Sequence, residues 1–285
     1  MNDLRQRMID QMLLKGFSER TKKTYLDAVS LLARHYHISP DKLQSQDLQN
    51  WLLYLVKERQ LSPATCRVYL NAIRYFYLHV LQWPDCDLQL ITPKRKQRIP
   101  DLLSPSEVRA IIDNATNPKY RTMLSVCYGC GLRVSELVSL QVKDINGEQH
   151  LLQVIQGKGF KDRNIPLPNS LLQLLRDYWR SFRPTCYLFT GRDTNKPISI
   201  TSVQKYFTQS KNRAAIKKIG GIHSLRHAFA THQLSAGMPL HQLKNILGHT
   251  DLKSTERYLH WRPETGDKEG NFDLLLTMLG GQTNE

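Results

Sequence analysis

Four prolines, at positions 84, 93, 100 and 105, prevent a continuous helix between Trp83 and Pro105. The chain has 285 residues, which is enough for two domains of ordinary size. We therefore predict one domain over residues 1–82, a linker over 83–104 and a second domain over 105–270. The remaining residues, 271–285, are predicted to form a tail helix. Its apolar piece over 272–279 is too short to bury its own face, so it is expected to dock on its own domain or on a neighbouring subunit.

Residues 1–82 carry apolar side chains at helical spacing in four segments. The first covers about 3–15 and ends at Gly16. Ser18 can cap the second segment and Ser45 can open the third, and Ser62 before a proline is a typical start for the fourth. We interpret the aromatic stripe of the fourth segment as core rather than as a surface for stacking bases. The pattern predicts a small four-helix bundle.

The chain is strongly basic, with 40 Lys and Arg against 25 Asp and Glu and a formal net charge of +15. This charge is spread through both domains, which suits a large polyanion such as nucleic acid, although a merely basic soluble protein has the same balance. The linker holds a basic run that either is simply solvated or crosses a phosphate backbone: Lys94, Arg95, Lys96 and Arg98.

Residues 105–270 predict a helical domain with one small sheet, so the fold class of the whole chain is mainly α with a small β component. Ser104 to Glu107 has the pattern of a capped helix start with proline at the first position. Two short strands flank a Gly-rich segment around Lys158, which predicts a β-hairpin with the lysine near its tip. The helices are predicted at about 105–115, 118–128, 169–182 and 201–218, the hairpin strands at 151–155 and 164–167, and a further short strand at 187–190.

The stretch from His223 to Tyr258 predicts several short packed helices. Gly248 falls where a helix would end in a left-handed residue, and Thr250 or Asp251 could cap the next helix, with Tyr258 two turns into it. Histidines, an arginine and a tyrosine thus fall at helix starts and turns, where side chains can converge. This arrangement favours a site that grips a phosphate and attacks it.

Neither a disulfide framework nor a metal site is predicted. Five cysteines at irregular spacing are an odd number. Cys127 and Cys130 form a C-x-x-C without a second pair, and their apolar neighbours favour buried helix cysteines. His223 and His227, four residues apart, could bind a metal, but no Glu follows the first histidine and no third ligand is evident.

Four cationic or imidazole side chains could surround one phosphate and stabilise the charge of its transition state: Arg133, His223, Arg226 and His249. Glu136 lies three residues after Arg133 and could hold its guanidinium in place. Taken singly, each of these residues is more ordinary as a surface, capping or packing residue. The ordered combination is what favours a reactive site.

The same set offers a complete strand-cleavage reaction. Tyr258 has a phenol whose ordinary pKa is near 10, and adjacent cations would favour its phenolate for attack on phosphorus. Lys158 could protonate the leaving ribose oxygen as a general acid. A phosphotyrosine ester keeps the energy of the cut bond, so resealing would need neither ATP nor a metal or other cofactor.

These motifs resemble those of the tyrosine recombinases, also called the phage-integrase family. Gly131-Leu-Arg133-Val-Ser-Glu136-Leu is similar to the family's first arginine box. His223-Ser-Leu-Arg226-His227, with Leu247-Gly248-His249 and Tyr258, is similar to the second. The resemblance covers nearly the whole chain, because residues 1–82 resemble the family's helical DNA core-binding domain.

The resemblance implies a role for each matching residue. It makes Tyr258 the nucleophile of a 3′-phosphotyrosyl link, Lys158 the acid and Glu136 the acidic partner in the first box. Arg133, Arg226, His223 and His249 would contact the scissile phosphate. It also implies that the two domains clamp double-stranded DNA and that four subunits act on two sites, with or without a second recombinase or an accessory protein. The C-terminal helix would then dock on a neighbouring subunit.

The subfamily that the chain resembles is a compact Xer-like or mobile-element integrase. Helices begin almost at once, which leaves no room for an N-terminal arm-binding extension. An integron integrase would carry an extra insertion before the second box, and the 65 residues between Lys158 and His223 leave little space for one. No apolar run reaches the length of a membrane span, and Met1 opens no signal-peptide pattern. We therefore expect a cytoplasmic, nucleoid-associated protein with no membrane partner.

Three functions remain open from the sequence. A site-specific recombinase or integrase needs two matched DNA sites. A topoisomerase of the same chemistry would relax supercoils by cutting and resealing one strand, without paired sites. A DNA-binding protein that kept the fold but lost catalysis would be indifferent to Tyr258→Phe. The complete set of reactive residues favours the first over the third.

Overall fold

The computed structural model describes residues 2–84, 101–155 and 162–259. The chain divides into two compact units, Met1–Arg98 and Ile99–Glu285. Three parts of the sequence predictions lie outside the described residues: the basic run at 94–98, Lys158 at the hairpin tip, and the tail over 271–285. The domain roles assigned from the sequence stay predictions.

The first unit contains the four predicted helices: α1 (Asn2–Leu14), α2 (Glu19–Tyr36), α3 (Ser45–Lys57) and α4 (Pro63–Tyr75). A π-helical turn, Phe76–Val80, continues α4, and a 3₁₀ turn, Pro40–Lys42, follows α2. The Ser18 and Ser62 side chains accept hydrogen bonds from the third residue of the helices they precede, as predicted. Gly16 ends α1 with a φ of +66°, in the left-handed region.

The core of the first unit is built from the apolar faces of these helices. Trp51 on α3 and Phe76 after α4 are almost fully buried, as are Met8 and Met12 on α1. Tyr77 is buried as well, and its phenol donates a hydrogen bond of 2.5 Å to the Pro40 carbonyl. The aromatic stripe is therefore core, as its helical spacing predicted.

The second unit is helical around one small sheet, so the predicted fold class is confirmed. Its three antiparallel strands pair in the order β1-β2-β3, and Val154 at the end of β2 lies opposite Arg163 at the start of β3. The elements are α5 (Pro105–Asp113), α6 (Pro118–Gly129), α7 (Val134–Ser139), β1 (Ile145–Asn146), β2 (Leu151–Val154), β3 (Arg163–Pro166), α8 (Asn169–Phe182), α9 (Ile200–Arg213), α10 (His223–Ser235), α11 (Leu240–Leu247) and α12 (Lys253–Glu256).

Helix α6 is the centre of the second unit. Every residue from Thr122 to Tyr128 is buried, so the helix is covered on all sides. Helices α5, α8, α9 and α10 all pack against other elements of this core, and α10 packs directly on α6. Cys127 and Cys130 are fully buried, and this burial raises the pKa of both thiols to about 12. They are core cysteines, as predicted.

Two local predictions differ from the structure, and one short strand is not predicted by the sequence. The predicted strand at 187–190 is wrong, because among the described residues Tyr187 and Thr190 make only isolated bridges, to Gln141 and Pro197. Helix α9 ends at Arg213 instead of near 218, and Ala215 takes a left-handed φ of +56° that stops the helix. Strand β1 is only two residues long and carries no alternating pattern that the sequence could reveal.

No helix within the described ranges has both the length and the apolar character that a membrane crossing requires.

Gly131, between α6 and α7, gives a stability prediction. Its φ is +58°, and a Cβ there would stand 2.4 Å from Cδ1 of Phe229 on α10. Gly131→Ala should therefore combine backbone strain with overpacking and cost about 2–4 kcal/mol of unfolding free energy. Gly16→Ala is the matched control, because Gly16 has a φ of +66° with no atom within 4 Å of the added Cβ. It should cost only about 1 kcal/mol.

Thermal unfolding followed by circular dichroism measures both variants. Equal, small shifts of the two midpoints would show that Phe229 yields easily and that the close packing of α10 against this turn is not rigid.

Candidate functional site

At the start of α7, the carboxylate of Glu136 binds both the backbone and the side chain of Arg133. Glu136 accepts a hydrogen bond from the Arg133 backbone N–H at 2.8 Å and from Nη1 of the same residue at 2.6 Å. The first contact caps α7, and the second fixes the guanidinium. The sequence prediction that Glu136 would hold Arg133 is confirmed.

A second arginine, Arg163 on β3, forms a bidentate pair with the same carboxylate. Its Nη1 and Nη2 donate to the two oxygens of Glu136 at 3.0 and 2.8 Å, and its Nε donates to the Ile246 carbonyl at 2.7 Å. The base of the lysine hairpin is thereby joined to α7 and to the end of α11. We did not identify Arg163 as a site residue from the sequence, because it looks like any other hairpin cation.

The third arginine, Arg226 on α10, is almost fully buried, with 1% of its side chain exposed. It donates to the carbonyls of Gly131 at 2.7 Å and Leu247 at 2.6 Å, and its Nη1 lies 3.7 Å from Glu136 Oε2. Burial, followed by the charge of Arg133, lowers its pKa to about 10. It remains a cation at neutral pH, held between the turn before α7 and the end of α11.

Three guanidiniums thus share one carboxylate, and we call Arg133, Arg163 and Arg226 around Glu136 the arginine cluster. Burial would raise the pKa of Glu136, but the hydrogen bonds and charge of Arg163 outweigh it and bring this pKa to about 2. The carboxylate is ionised, so the cluster carries an excess of two positive charges. Arg133 is its most open member, with 20% of its side chain exposed. The cluster is therefore suited to an anion arriving from solvent.

His249 lies beside this cluster in the turn after α11. Gly248 ends α11 with a φ of +62°, as predicted. A Cβ added at this glycine would clash with the Arg163 side chain. The Nε2 atom of His249 lies 3.2 Å from Nη2 of Arg226, and its Nδ1 lies 2.8 Å from the Thr255 hydroxyl. A guanidinium can only donate, so Nε2 is the acceptor and Nδ1 carries the proton.

The imidazole of His249 is neutral in this state. Burial lowers its pKa to about 3, and the charges of Arg226 and Arg133 act in the same direction. Nε2 could donate to a phosphate in the other neutral tautomer, with the Thr255 hydroxyl donating to Nδ1, or in a protonated ring once a bound anion had offset those charges and raised the pKa. Thr255, which fixes the ring, was not identified from the sequence.

His223 is the first residue of α10 and is exposed to solvent. Partial desolvation lowers its pKa, and the charges of Arg226 and Arg133 lower it further. Its ring meets that of His227 edge-on, with the centroids 4.6 Å apart. His223 is the open edge of the site, next to the buried Arg226 three residues on.

Tyr258 is buried, with 2% exposure, and the prediction that it sits two turns into a helix is wrong. Helix α12 has a single turn, over Lys253–Glu256, and Tyr258 follows it, with its N–H bonded to the Thr255 carbonyl. Asp251 does accept a hydrogen bond from the Lys253 N–H at this helix start. The Tyr258 ring lies parallel to that of His249, with centroids 6.3 Å apart.

The phenol of Tyr258 is protonated in this state, which corrects the prediction that neighbouring cations favour its phenolate. Burial raises its pKa above the ordinary value of 10.0. The charges of Arg226, Arg257 and Arg133 do lower it, in the predicted direction, but burial is the larger effect. The phenol oxygen lies 3.0 Å from Nδ1 of His227 on α10. From the sequence, His227 is a candidate metal ligand and the last residue of a family motif, without a catalytic role.

The structure therefore brings together five of the six predicted catalytic residues in the second unit, with His223 joined to the others through His227: Arg133, His223, Arg226, His249 and Tyr258. Lys158 lies outside the described residues, as do Lys94, Arg95, Lys96 and Arg98. Within the described part of the chain, no three His, Cys, Asp or Glu side chains are grouped as metal ligands would be. The arrangement places the Tyr258 hydroxyl in a site that also holds the cationic arginine cluster, with His249 in contact with both.

Sequence comparison relates both units to one family. The model described as "Phage integrase family" matches residues 101–265, and that described as "Phage integrase, N-terminal SAM-like domain" matches residues 4–85. An integrase/recombinase of Sinorhizobium fredii, y4qK, is 38% identical over 261 residues, which cover 91% of this chain and 84% of the relative. Tyrosine recombinase XerD of Staphylococcus aureus is 31% identical over 261 residues, with 86% of each chain covered.

Solved structures show the same fold. XerA recombinase matches with a TM-score of 0.53 at 25% identity, over 91% of this chain and 93% of that chain. A lambda integrase fragment, solved as a dimer bound to a core site, matches with a TM-score of 0.77 at 18% identity, over 94% of this chain and 98% of that one. The two-domain architecture predicted from the resemblance is thus the fold of this chain.

Removing the charge of Glu136 tests the arginine cluster. Glu136→Gln should lower the unfolding free energy by about 3 kcal/mol, because three guanidiniums lose their shared counter-charge in a buried setting. Asp177→Asn is the matched control, since Asp177 pairs with Arg180 at 2.8 Å but both side chains are more than half exposed. It should cost at most about 1 kcal/mol. Denaturant unfolding measures both, and equal losses would contradict a central role for Glu136.

Three partly buried histidines predict that acid destabilises the second unit. The folded-state pKa is about 4 for His227 and His232 and about 3 for His249, all below the ordinary 6.5, with burial as the largest cause. At a pH between the folded-state pKa of a histidine and its ordinary pKa of 6.5, the unfolded chain binds more protons than the folded one. The unfolding free energy therefore falls as pH drops from about 6.5 towards 4. Protonation of Glu136 adds a further loss between 4.5 and about 2.

Urea unfolding at pH 7.5 and pH 5 tests whether the unfolding free energy falls on acidification, as predicted. His232 is a useful control, because its ring bridges the Tyr128 hydroxyl and the Leu103 carbonyl at 2.9 Å each, in the interior of the unit. His232→Gln cannot take up a proton, so it should be less stable than wild type at pH 7.5 but lose less on acidification. A midpoint unchanged between the two pH values in wild type would contradict the prediction.

Proposed function

Because this chain belongs to the phage integrase family, we infer that it is a site-specific DNA recombinase that cuts and rejoins duplex DNA through a covalent tyrosine intermediate. The observation that carries this inference is the position of Tyr258. Its ring lies parallel to that of His249, which itself contacts Arg226 of the arginine cluster. A nucleophile and an anion site are thus adjacent within one chain.

The roles follow from the chemistry of a phosphodiester. As Tyr258 attacks phosphorus, negative charge grows on the two non-bridging oxygens, and fixed guanidiniums stabilise that charge better than water does. Arg133 and Arg226 are held by Glu136 and by backbone carbonyls before DNA arrives, so they need little reorganisation. We assign His223 and His249 to the same phosphate, with His223 on the exposed side.

The leaving 5′ oxygen of the DNA needs a proton, and we assign Lys158 as its general acid. The lysine follows β2 in the hairpin whose returning strand, β3, begins at Arg163. Arg163 is bound to Glu136, so the base of that hairpin is attached to the arginine cluster. This attachment supports the assignment of Lys158 to the same phosphate as the arginine cluster.

The reaction as assigned uses no cofactor. The 3′-phosphotyrosyl ester retains the energy of the broken phosphodiester, and attack on it by a 5′-hydroxyl restores the DNA. The partner is double-stranded DNA, consistent with the formal net charge of +15. Neighbouring folds include integrases and recombinases solved in complex with DNA.

Recombination joins two DNA sites, and four active sites are needed to exchange four strands. We therefore propose a tetramer of this chain on two sites, alone or with a second recombinase or accessory protein. In that assembly the tail over 271–285 docks on a neighbouring subunit, and the basic run at 94–98 follows the DNA backbone between the two domains. A protein with this substrate acts where the chromosome lies, so we place it in the cytoplasm in association with the nucleoid.

A nicked duplex that traps the covalent intermediate tests the proposed function. The binding sequence is first selected from a random duplex library, and a nick just beyond the cut site lets the short strand diffuse away. Wild type should then give a slow-migrating protein–DNA adduct on a denaturing gel, and Tyr258→Phe should give none while binding the duplex normally. Tyr206→Phe is the control, since Tyr206 bonds to Asn117 outside the site. An adduct with Tyr258→Phe would contradict the assignment.

A further inference from the structure

His227 contacts the nucleophile directly, although the proposed function gives it no role. It follows Arg226 on α10, and its Nδ1 lies 3.0 Å from the phenol oxygen of Tyr258. The two ring centroids are 5.7 Å apart, with the planes inclined at 51°. This is the distance at which a base takes a proton from a hydroxyl.

The other two histidines of the site are placed differently. The Nε2 of His249 faces Arg226, and its Nδ1 is bonded to Thr255, so both of its ring nitrogens are engaged away from the phenol. His223 meets the His227 ring edge-on from the exposed side. Among the described histidines of the site, His227 is therefore the one whose ring nitrogen contacts the phenol oxygen.

The protonation states fit a proton transfer from Tyr258 to His227. Burial lowers the pKa of His227 to about 4, so its imidazole is neutral at pH 7. The pKa of the Tyr258 phenol is raised, so the phenol keeps its proton. A protonated phenol beside a neutral imidazole donates its hydrogen bond to the ring nitrogen.

We propose that His227 is a catalytic residue of strand cleavage, with its Nδ1 acting as the general base that takes the phenol proton of Tyr258. This inference rests on the proposed function, which names an acid for the leaving oxygen, and adds a base for the phenol proton. In cleavage, the Tyr258 oxygen bonds to phosphorus, the phenol proton passes to Nδ1, and the bond from phosphorus to the 5′ oxygen breaks. The 5′ oxygen takes a proton from the acid assigned to Lys158. In resealing, the imidazolium of His227 returns its proton to the departing phenolate.

The charges around His227 make this base respond to DNA. His223 and Arg226 on the same helix, and Arg257 after α12, all disfavour its protonated form. A bound phosphate brings negative charge to the cations that His227 faces, which raises the basicity of the imidazole. His227 is therefore a weak base in the free protein and a stronger one when the scissile phosphate is in place.

The test uses an isosteric substitution. In His227→Asn, the amide oxygen can stand near the position of Nδ1 and accept the same hydrogen bond, but it cannot take up a proton. The full-length protein is mixed with the nicked duplex, and the rate of adduct formation is measured in a single turnover between pH 5 and pH 9. His241→Asn, an exposed histidine on α11, is the matched control.

At pH 7, His227→Asn should form the adduct about 100-fold or more slowly than wild type, while His241→Asn should match wild type. The wild-type rate should level off once the imidazole is deprotonated. The rate of the Asn variant should keep rising about tenfold per pH unit as phenolate forms without a base. An Asn variant within a few-fold of wild type and with the same pH profile would overturn the proposal, because His227 would then only position the tyrosine.

A sulfur at the 5′ bridging position separates the base from the acid. A thiolate leaves without protonation, so this substrate should restore cleavage by Lys158→Ala but not by His227→Asn. Restoration of His227→Asn would overturn the assignment of His227 as base. Absence of any adduct from wild type would instead refute the proposed function as a whole, which keeps the two failures distinct.

A second variant covers the case in which Asn disturbs the fold. His227→Ala leaves space beside Tyr258, and added imidazole should raise its cleavage rate in proportion to the concentration of neutral imidazole. A His227→Ala protein that binds DNA normally but gains nothing from imidazole would contradict the proposal.

Discussion

One ionised carboxylate organises the catalytic unit. Glu136 contacts Arg133 and Arg163 at hydrogen-bond distance and lies 3.7 Å from Arg226. Through these arginines it joins the turn before α7, the start of β3 and the first turn of α10, while Arg163 and Arg226 also donate to carbonyls at the end of α11. Burying a charge is costly unless it is paired, so the four groups stabilise one another as a set. The surplus positive charge of that set is what the site presents to DNA.

The free protein holds His249, His227 and Tyr258 in their uncharged forms. Burial and the arginines keep His249 and His227 neutral, and burial keeps the Tyr258 phenol protonated. The excess of positive charge favours the neutral imidazoles and disfavours the neutral phenol, and one bound phosphate would offset that charge. The phosphate is therefore both the substrate and the group that tunes the acids and bases around it.

The local features of the fold could be predicted from the sequence because they depend on neighbouring residues. Ser62 before Pro63 marks a helix start, and Gly248 ends a helix in the left-handed conformation that glycine adopts most easily. The reactive set was also predictable, since its motifs carry its chemistry. The roles of Arg163 and His227 were not, because their contacts join residues 27 and 31 positions apart, with no periodic signal between them. The protonation of Tyr258 depends on burial opposing charge, and only coordinates show which is larger.

The central claim is that the arginine cluster and Tyr258 enclose a single scissile phosphate. The most direct measurement is a crystal structure of the Tyr258→Phe protein bound to its selected duplex. The account predicts one phosphate with its non-bridging oxygens about 3 Å from the guanidiniums of Arg133 and Arg226, with the ring of residue 258 on the side away from the leaving oxygen. Glu136 should keep its contacts to all three arginines. A phosphate seated elsewhere, or an arginine cluster broken apart by DNA, would contradict it.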